Sequence, residues 1–317
     1  MRSPGRRAVL GAAVAAAALA VAPSARALDP AVPLSQLLTD AWSVEQGLPH
    51  ANVRDVLQDH HRYLWIATEE GLARFDGVRF RTYDPTAAGE FRRRDVRCLL
   101  LARNGSLYAG IGDGLARVSG DRLTRVAGMP HGRSIESLAE GPDGTLWVGT
   151  DAGLVGLKDG VRRAPGPARG LASEFVRALR VARDGSVWVG TKSGLTRMAG
   201  DATTTWRAHD GIPGDDVTAI HEARDGTVWV GTNGGGVAVL SGGTWRVLDA
   251  RQGLEVPSVL SIHEDRNGQV WVGTDGGGLC RFDGTRFDCL TERTGFPAST
   301  VASLGEDREG GLLAGSV

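Results

Sequence analysis

Two histidines and two cysteines are the residues whose spacing first invites chemistry. His221 lies eight residues before Trp229, and His263 lies eight before Trp271. Matched imidazoles suit a metal, but a zinc site takes at least three protein ligands. The two fall short of that set, so no metal is expected and they read as polar residues ending a strand. Cys280 and Cys289 flank a hairpin around Asp283-Gly284. They face each other directly if Gly284-Thr285 is the turn, and diagonally if Asp283-Gly284 is. An oxidising compartment permits a disulfide there; the alternative is two unpaired thiols. Neither a G-x-S-x-G elbow nor an H-E-x-x-H pair occurs. A glycosidase needs a carboxylate pair, whereas the acids here fall mainly in turns. No catalytic residue and no cofactor are expected, and the chain reads as not an enzyme.

Charge narrows the partners. The 317 residues carry a net charge of −1. The first 27 hold four arginines and no acid, leaving 32 basic against 37 acidic residues, or −5. A nucleic-acid or anionic-membrane binder would show a basic excess, so neither partner is expected. The same 27 residues read as a signal peptide, 1–27. Met1 to Arg7 is basic, Ala8 to Ala22 is apolar or small, and Ala25-Arg26-Ala27 fits a cleavage site. The apolar run is short for a bilayer span, which takes about 20 residues. A periplasmic chain from about residue 28 is the expectation. Three cysteines exclude a disulfide-dense scaffold.

The rest of the chain repeats. Trp65 in Leu64-Trp65-Ile66-Ala67-Thr68 recurs as Tyr108, Trp147, Trp188, Trp229 and Trp271, and in degraded form at Leu313. The spacings are 43, 39, 41, 41, 42 and 42. Twelve residues before each anchor stand Val53, Val96, Ile135, Val176, Val217, Val259 and Val301, all β-branched. Ten before stand Cys98, Ser137, Ala178, Ala219, Ser261 and Ser303, all small, with Asp55 the exception. Cys98 therefore reads as a buried, inert thiol. Asp-Gly or Asn-Gly turns follow, as in Asp184-Gly185 and Asn267-Gly268, and supply the positive φ of tight hairpins. Two residues past every anchor is Gly or Ala, which in a strand marks close backbone approach. A Gly-Leu turn opens a third strand in most copies, and a fourth ends the unit.

Four short antiparallel strands per 42 or so residues make a propeller blade. The expectation is an all-β, seven-bladed propeller over 28–317; a β-solenoid and a six-bladed ring with a frayed tail are the alternatives. Leu38 to Pro49 is similar to the outer strand and exit loop at Trp206 to Pro213. It predicts an N-terminal strand closing the last blade. Val301 to Glu306 and Leu312 to Ser316 supply two further strands of that blade and the third is missing, so the chain reads as truncated.

The unit G-L-P-x-x-x-V-x-x-[IL]-x-x-D-x-x-G-x-[LV]-W-[IV]-G-T-x-x-G-L resembles the two-component regulator propeller repeat. Asp40 to Tyr83 is especially similar, through Gly47-Leu48-Pro49, the Trp65 strand, Gly71-Leu72 and Arg74-Phe75-Asp76-Gly77. Copy two departs at Tyr108 and Ile111, and copy seven is weak. The resemblance covers about 38–317. It implies the exported sensor region of a bacterial signalling protein, followed in family members by a membrane span and a histidine kinase, diguanylate cyclase or DNA-binding output. Partners implied are a small ligand, carbohydrate or peptide, or another domain of the same protein. A free-standing secreted lyase or hydrolase, or a protein-binding scaffold, is the alternative. An Asp box of the sialidase kind fails on spacing, because Asp225 and Gly226 are adjacent.

Ligand contact is expected on loops carried by the rigid ring. The loops between second and third strands offer Asp151, Lys192, Asn233 and Asp275. The loops leading into the blades offer Arg92, Arg93 and Arg94, the densest charge cluster, suited to an anion or a partner domain.

Overall fold

The computed structural model describes residues 32–37, 39–163 and 170–317; the segment read as a signal peptide lies outside them. Six four-stranded antiparallel sheets follow one another, each in simple up-and-down order, and a two-stranded seventh sheet follows. Blade one is Val53–Gln58, Leu64–Thr68, Gly71–Phe75 and Phe80–Tyr83. Blade five is Val217–Glu222, Val228–Thr232, Gly236–Ser241 and Thr244–Leu248. The seventh sheet is Val301–Glu306 with Leu312–Ser316. First strands of successive blades contact one another all the way round, the seventh meeting the first. They are therefore the innermost strands, and the sheets stand around an axis.

The repeat positions explain how the sheets converge. A Cβ added to Gly231, two past its anchor, would lie 2.4 Å from Val259 Cγ1 of the next blade. That Val is the β-branched residue twelve before the next anchor. The same pair recurs as Gly149 with Val176 and Gly190 with Val217, and closes the ring as Gly315 with Val53. Glycine thus admits the neighbouring valine, while the anchors Trp188, Trp229 and Trp271 fill space farther out and are buried. The Thr after the glycine is buried too, and its hydroxyl donates to the carbonyl of the loop glycine, as from Thr191 to Gly194 at 2.9 Å. A hydroxyl satisfied this way costs little to bury.

A second device clasps blades at the lower end of the inner strands. The backbone N–H five before an anchor donates to the side chain seven before the next anchor. Arg103 reaches Glu140, Arg183 reaches Glu222, Arg224 reaches Glu264 and Arg266 reaches Glu306, at 2.8–2.9 Å. Arg308 donates likewise to Gln58 at 2.8 Å, across the junction of the seventh sheet with blade one. An Arg62–Glu309 ion pair at 2.8 Å and the packing of Leu313 on Val53, Val56 and Ile66 complete that junction.

The N-terminal segment does not form the expected closing strand. Among the described residues none of 39–48 pairs in a sheet. A fourth strand needs a third as its ladder partner, and the seventh sheet has two strands. The blade count is accordingly six complete blades and a partial seventh. The likeness to an exit loop does hold. Ser43 caps a short 3-10 turn over Val44–Gln46 that ends on Gly47 at φ 113°, and Gly211, Gly253 and Gly295 end the turns after blades four, five and six. Trp42 meets Phe75 in a tilted contact with ring centres 5.4 Å apart, and Leu34 packs with Trp271, Leu279 and Val301.

Cys280 and Cys289 are joined by a disulfide. They sit directly opposite in the ladder, because Asp283 and Arg286 close the hairpin with Gly284-Thr285 between them. Cys98 is buried, and burial pushes its thiol well above the usual range.

Candidate functional site

The upper end of the axis is built by two backbone features. Every first strand carries a bulge between the positions twelve and ten before its anchor. A bulge re-aims the intervening side chain. Above it, the residue four past the anchor donates its N–H to the carbonyl thirteen before, as in Asp151 to Ser134, Lys192 to Phe175, Asn233 to Asp216 and Asp275 to Ser258. These bonds bring the loops named from sequence onto one rim.

Inside the rim lies a cavity of about 1010 Å³. Its wall includes the residue eleven before each anchor, the one re-aimed by the bulge: Arg54, Arg97, Glu136, Arg177, Thr218, Leu260 and Ala302. Blades one to four therefore present charge, and blades five to seven present a hydroxyl and aliphatic carbon. The sequence reading missed this tier. The available signal was a position that swings from Arg to Ala between an always β-branched and an almost always small neighbour.

The arginines of the mouth are each paired with a carboxylate. Five arginines and five carboxylates line the cavity. Arg97 bridges Asp95 Oδ2 at 2.9 Å and Glu136 Oε1 at 2.7 Å, and Ser134 donates to the same Glu136 oxygen. Burial works against the Arg97 charge, but Asp95 and Glu136 outweigh it and hold the guanidinium above its ordinary value. Arg54 pairs with Glu69, whose carboxyl that hydrogen bond pulls down. Arg177 Nε stands 3.0 Å from Asp216 Oδ1 without hydrogen-bond alignment.

Of the residues expected on the loops, Arg93, Arg94 and Asp275 line the cavity. Arg93 pairs with Asp95 at 2.9 Å, Arg94 with Glu70 and Asp84 at 3.3 Å, and Asp275 accepts from Thr300 at 3.1 Å. Arg92, Asp151, Lys192 and Asn233 stand outside its wall. Lys192 Nζ caps the Phe175 ring at 4.1 Å, and Asn233 is held by Asp216 and Ser258. The Arg92 N–H binds Asp113. Asp151 Oδ1 is buried with no hydrogen-bond partner. His221 and His263 lie on neighbouring blades with ring centres 6.2 Å apart, and no group of three or more metal-binding side chains occurs among the described residues.

The ring of radial sheets defines a β-propeller. Residues 47–70, 128–152, 170–193, 211–234 and 253–276 match the two component regulator propeller family. Five segments of this propeller thus match the two-component regulator propeller repeat. Blades two and seven, which depart from the repeat, are the two left unmatched. A search of the curated proteins finds no match. Among solved structures, the extracellular domain of the hybrid two component system BT3049 from B. thetaiotaomicron is 20% identical, with a TM-score of 0.76 over 87% of this chain and 40% of that one. PorZ, a surface component of the type-IX secretion system of Porphyromonas gingivalis, is 15% identical, with a TM-score of 0.67 over 89% of this chain and 47% of that one. Virginiamycin B lyase from Staphylococcus aureus is 12% identical, with a TM-score of 0.65 over 83% of this chain and 92% of that one. These likenesses are of fold. The chain spans less than half the length of the BT3049 and PorZ chains. Among the described residues, no helix is long and apolar enough to cross a membrane.

Proposed function

We propose that this propeller is the exported ligand-sensing region of a bacterial signalling protein, and that it recognises its ligand at the upper mouth without chemistry. The observation that carries the reading is the divided wall of the cavity: Arg54, Arg97, Glu136 and Arg177 on one side, Thr218, Leu260 and Ala302 on the other. Pre-formed pockets of several hundred Å³ with a few convergent polar groups suit small molecules. The arginines of these pairs are about a third to a half exposed, so a ligand group can compete for them at modest cost. Binding would then shift the population of a signalling-competent arrangement. The matches to the two component regulator propeller support a sensor reading, and the Cys280–Cys289 disulfide agrees with an oxidising compartment. The test is a thermal-shift screen of the chain against small peptides and oligosaccharides. A hit should lose at least tenfold in affinity in Arg97→Gln. Hits unaffected by that change and by Arg177→Gln would sink the reading.

A further inference from the structure

Eight residues before each anchor, and below the bulge, the inner strands carry Leu57, Leu100, Ala139, Arg180, His221, His263 and Gly305. Three consecutive blades thus bring an arginine and two imidazoles to one level of the axis. His221 and His263 are in edge contact.

One buried nitrogen of each is left without a hydrogen bond. Arg180 makes no hydrogen bond or ion pair to any described residue, and its Nε is buried. His221 Nε2 and His263 Nε2 are buried without hydrogen bonds, and Glu264 and Glu306 stand off at 3.9 Å. A buried polar atom without a hydrogen bond destabilises the fold, and three in one cluster offer a small ligand its contacts.

The charge around them says which kind. Each glutamate one position further along is already clasped by the preceding blade. Arg183 holds Glu222, Arg224 holds Glu264, and Arg266 holds Glu306 by both backbone and guanidinium. Blade four has Val181 where those blades have glutamate, so Arg180 has no carboxylate at that position of its own strand and feels Glu222 of the next blade without a hydrogen bond. Burial first, then the Glu222 attraction opposed by Arg183, leave its guanidinium below the ordinary value. Burial and then Arg180 drive the His221 pKa down to about 3, and burial lowers His263 against Glu306 and Asp265. Both imidazoles are therefore neutral near pH 7 and each has an N–H to offer. A guanidinium with no hydrogen-bonded carboxylate suits a negatively charged ligand. A guanidinium fork matches two oxygens better than a spherical ion. Leu57, Leu100 and Ala139 leave the opposite side apolar.

We propose that Arg180, His221 and His263 form a seat in the axial channel for a small carboxylate, separate from the upper mouth. The probe is formate, titrated into the full chain near pH 7 at constant ionic strength set with chloride. The readouts are the ring nitrogen NMR shifts of the two histidines and the melting midpoint. Formate should move both imidazoles saturably, chloride should not, and Arg54→Gln at the mouth should respond like wild type. Arg180→Leu should lose the response. It should also melt a few degrees above wild type without formate, since Leu57 and Leu100 fill the same position and an unpaired buried charge is gone. Should that variant not fold, Arg180→Gln supplies the same comparison. Equal shifts with formate and chloride, an unchanged response in the Arg180 variants, or a lower melt for a folded Arg180→Leu would overturn the proposal.

Discussion

The two levels of the axis handle charge in opposite ways. At the upper mouth, Arg97 is bound to Asp95 and Glu136, and Arg54 to Glu69. At the lower level Arg180 makes no hydrogen bond or ion pair to a described residue, and it stands beside two imidazoles whose buried Nε2 atoms are unbonded. The same strands supply both levels, three residues apart. What differs is exposure and register. Above the bulge a side chain meets solvent and the neighbouring loop, where a salt bridge forms or breaks at little cost. Below it the side chain meets the next blade, where an unpaired charge is held at a penalty. Paired, wet charge suits exchange with varied ligands; unpaired, half-buried charge suits one small occupant.

The wall between the levels must be rigid for this contrast to persist. The harshest way to break it is Trp229→Ala, which opens a cavity between blades five and six. It should cost about 3–5 kcal/mol, read as a matching fall in urea-unfolding stability; a loss below about 1 kcal/mol would deny the wall its packed role.

Asp55 sharpens the contrast at an intermediate depth. It is the one carboxylate at the small-residue position, and it accepts from the N–H groups of Val56 and Leu99. Burial, against those two bonds, raises its pKa to about 6. A raised carboxyl favours the folded state while neutral, so its contribution is present below the ordinary carboxylate range and lost as pH climbs through about 6. Asp55→Asn should therefore gain on wild type by about 2 kcal/mol between pH 4 and pH 7.5. Parallel stability–pH curves for the two proteins would remove the burial argument.

Smaller effects test the ring's closure. Gln58→Ala removes the acceptor of the Arg308 clasp and should cost about 1 kcal/mol. The loss should appear as faster amide exchange in Val301–Glu306 and Leu312–Ser316, with blade four unaffected. At the rim, Lys192→Ala loses one exposed cation–π contact and should change stability by no more than about 0.5 kcal/mol.

The frame of the fold was legible because the repeat writes it seven times. The β-branched residue, the small residue, the anchor and the glycine could be aligned without a structure, and close approach at the glycine followed from its missing Cβ. The valine it approaches lies in the next blade, about 27 residues on, and only the sheet stacking makes that pairing visible. The N-terminal strand was over-read. Ser43 to Pro49 carries exit-loop chemistry, but a strand also needs a neighbour, which no local pattern supplies. Arg54, Arg97, Glu136 and Arg177 were passed over for a physical reason as well. A strand with regular alternation would turn them into a blade interface, and the bulge that points them at the cavity leaves no residue signature of its own. Arg92 and Lys192 stood out in the sequence as loop charges; in the fold both are exposed, and Lys192 sits on the Phe175 ring.

The measurement that bears most directly on the upper mouth is ligand affinity across three proteins: wild type, Arg97→Gln and Lys192→Ala. With a ligand found by thermal-shift screening, binding is followed by calorimetry at constant salt. The account predicts at least a tenfold loss for Arg97→Gln and wild-type affinity for Lys192→Ala. Wild-type affinity in Arg97→Gln, or a loss confined to Lys192→Ala, would contradict recognition inside the mouth and move it to the outer rim.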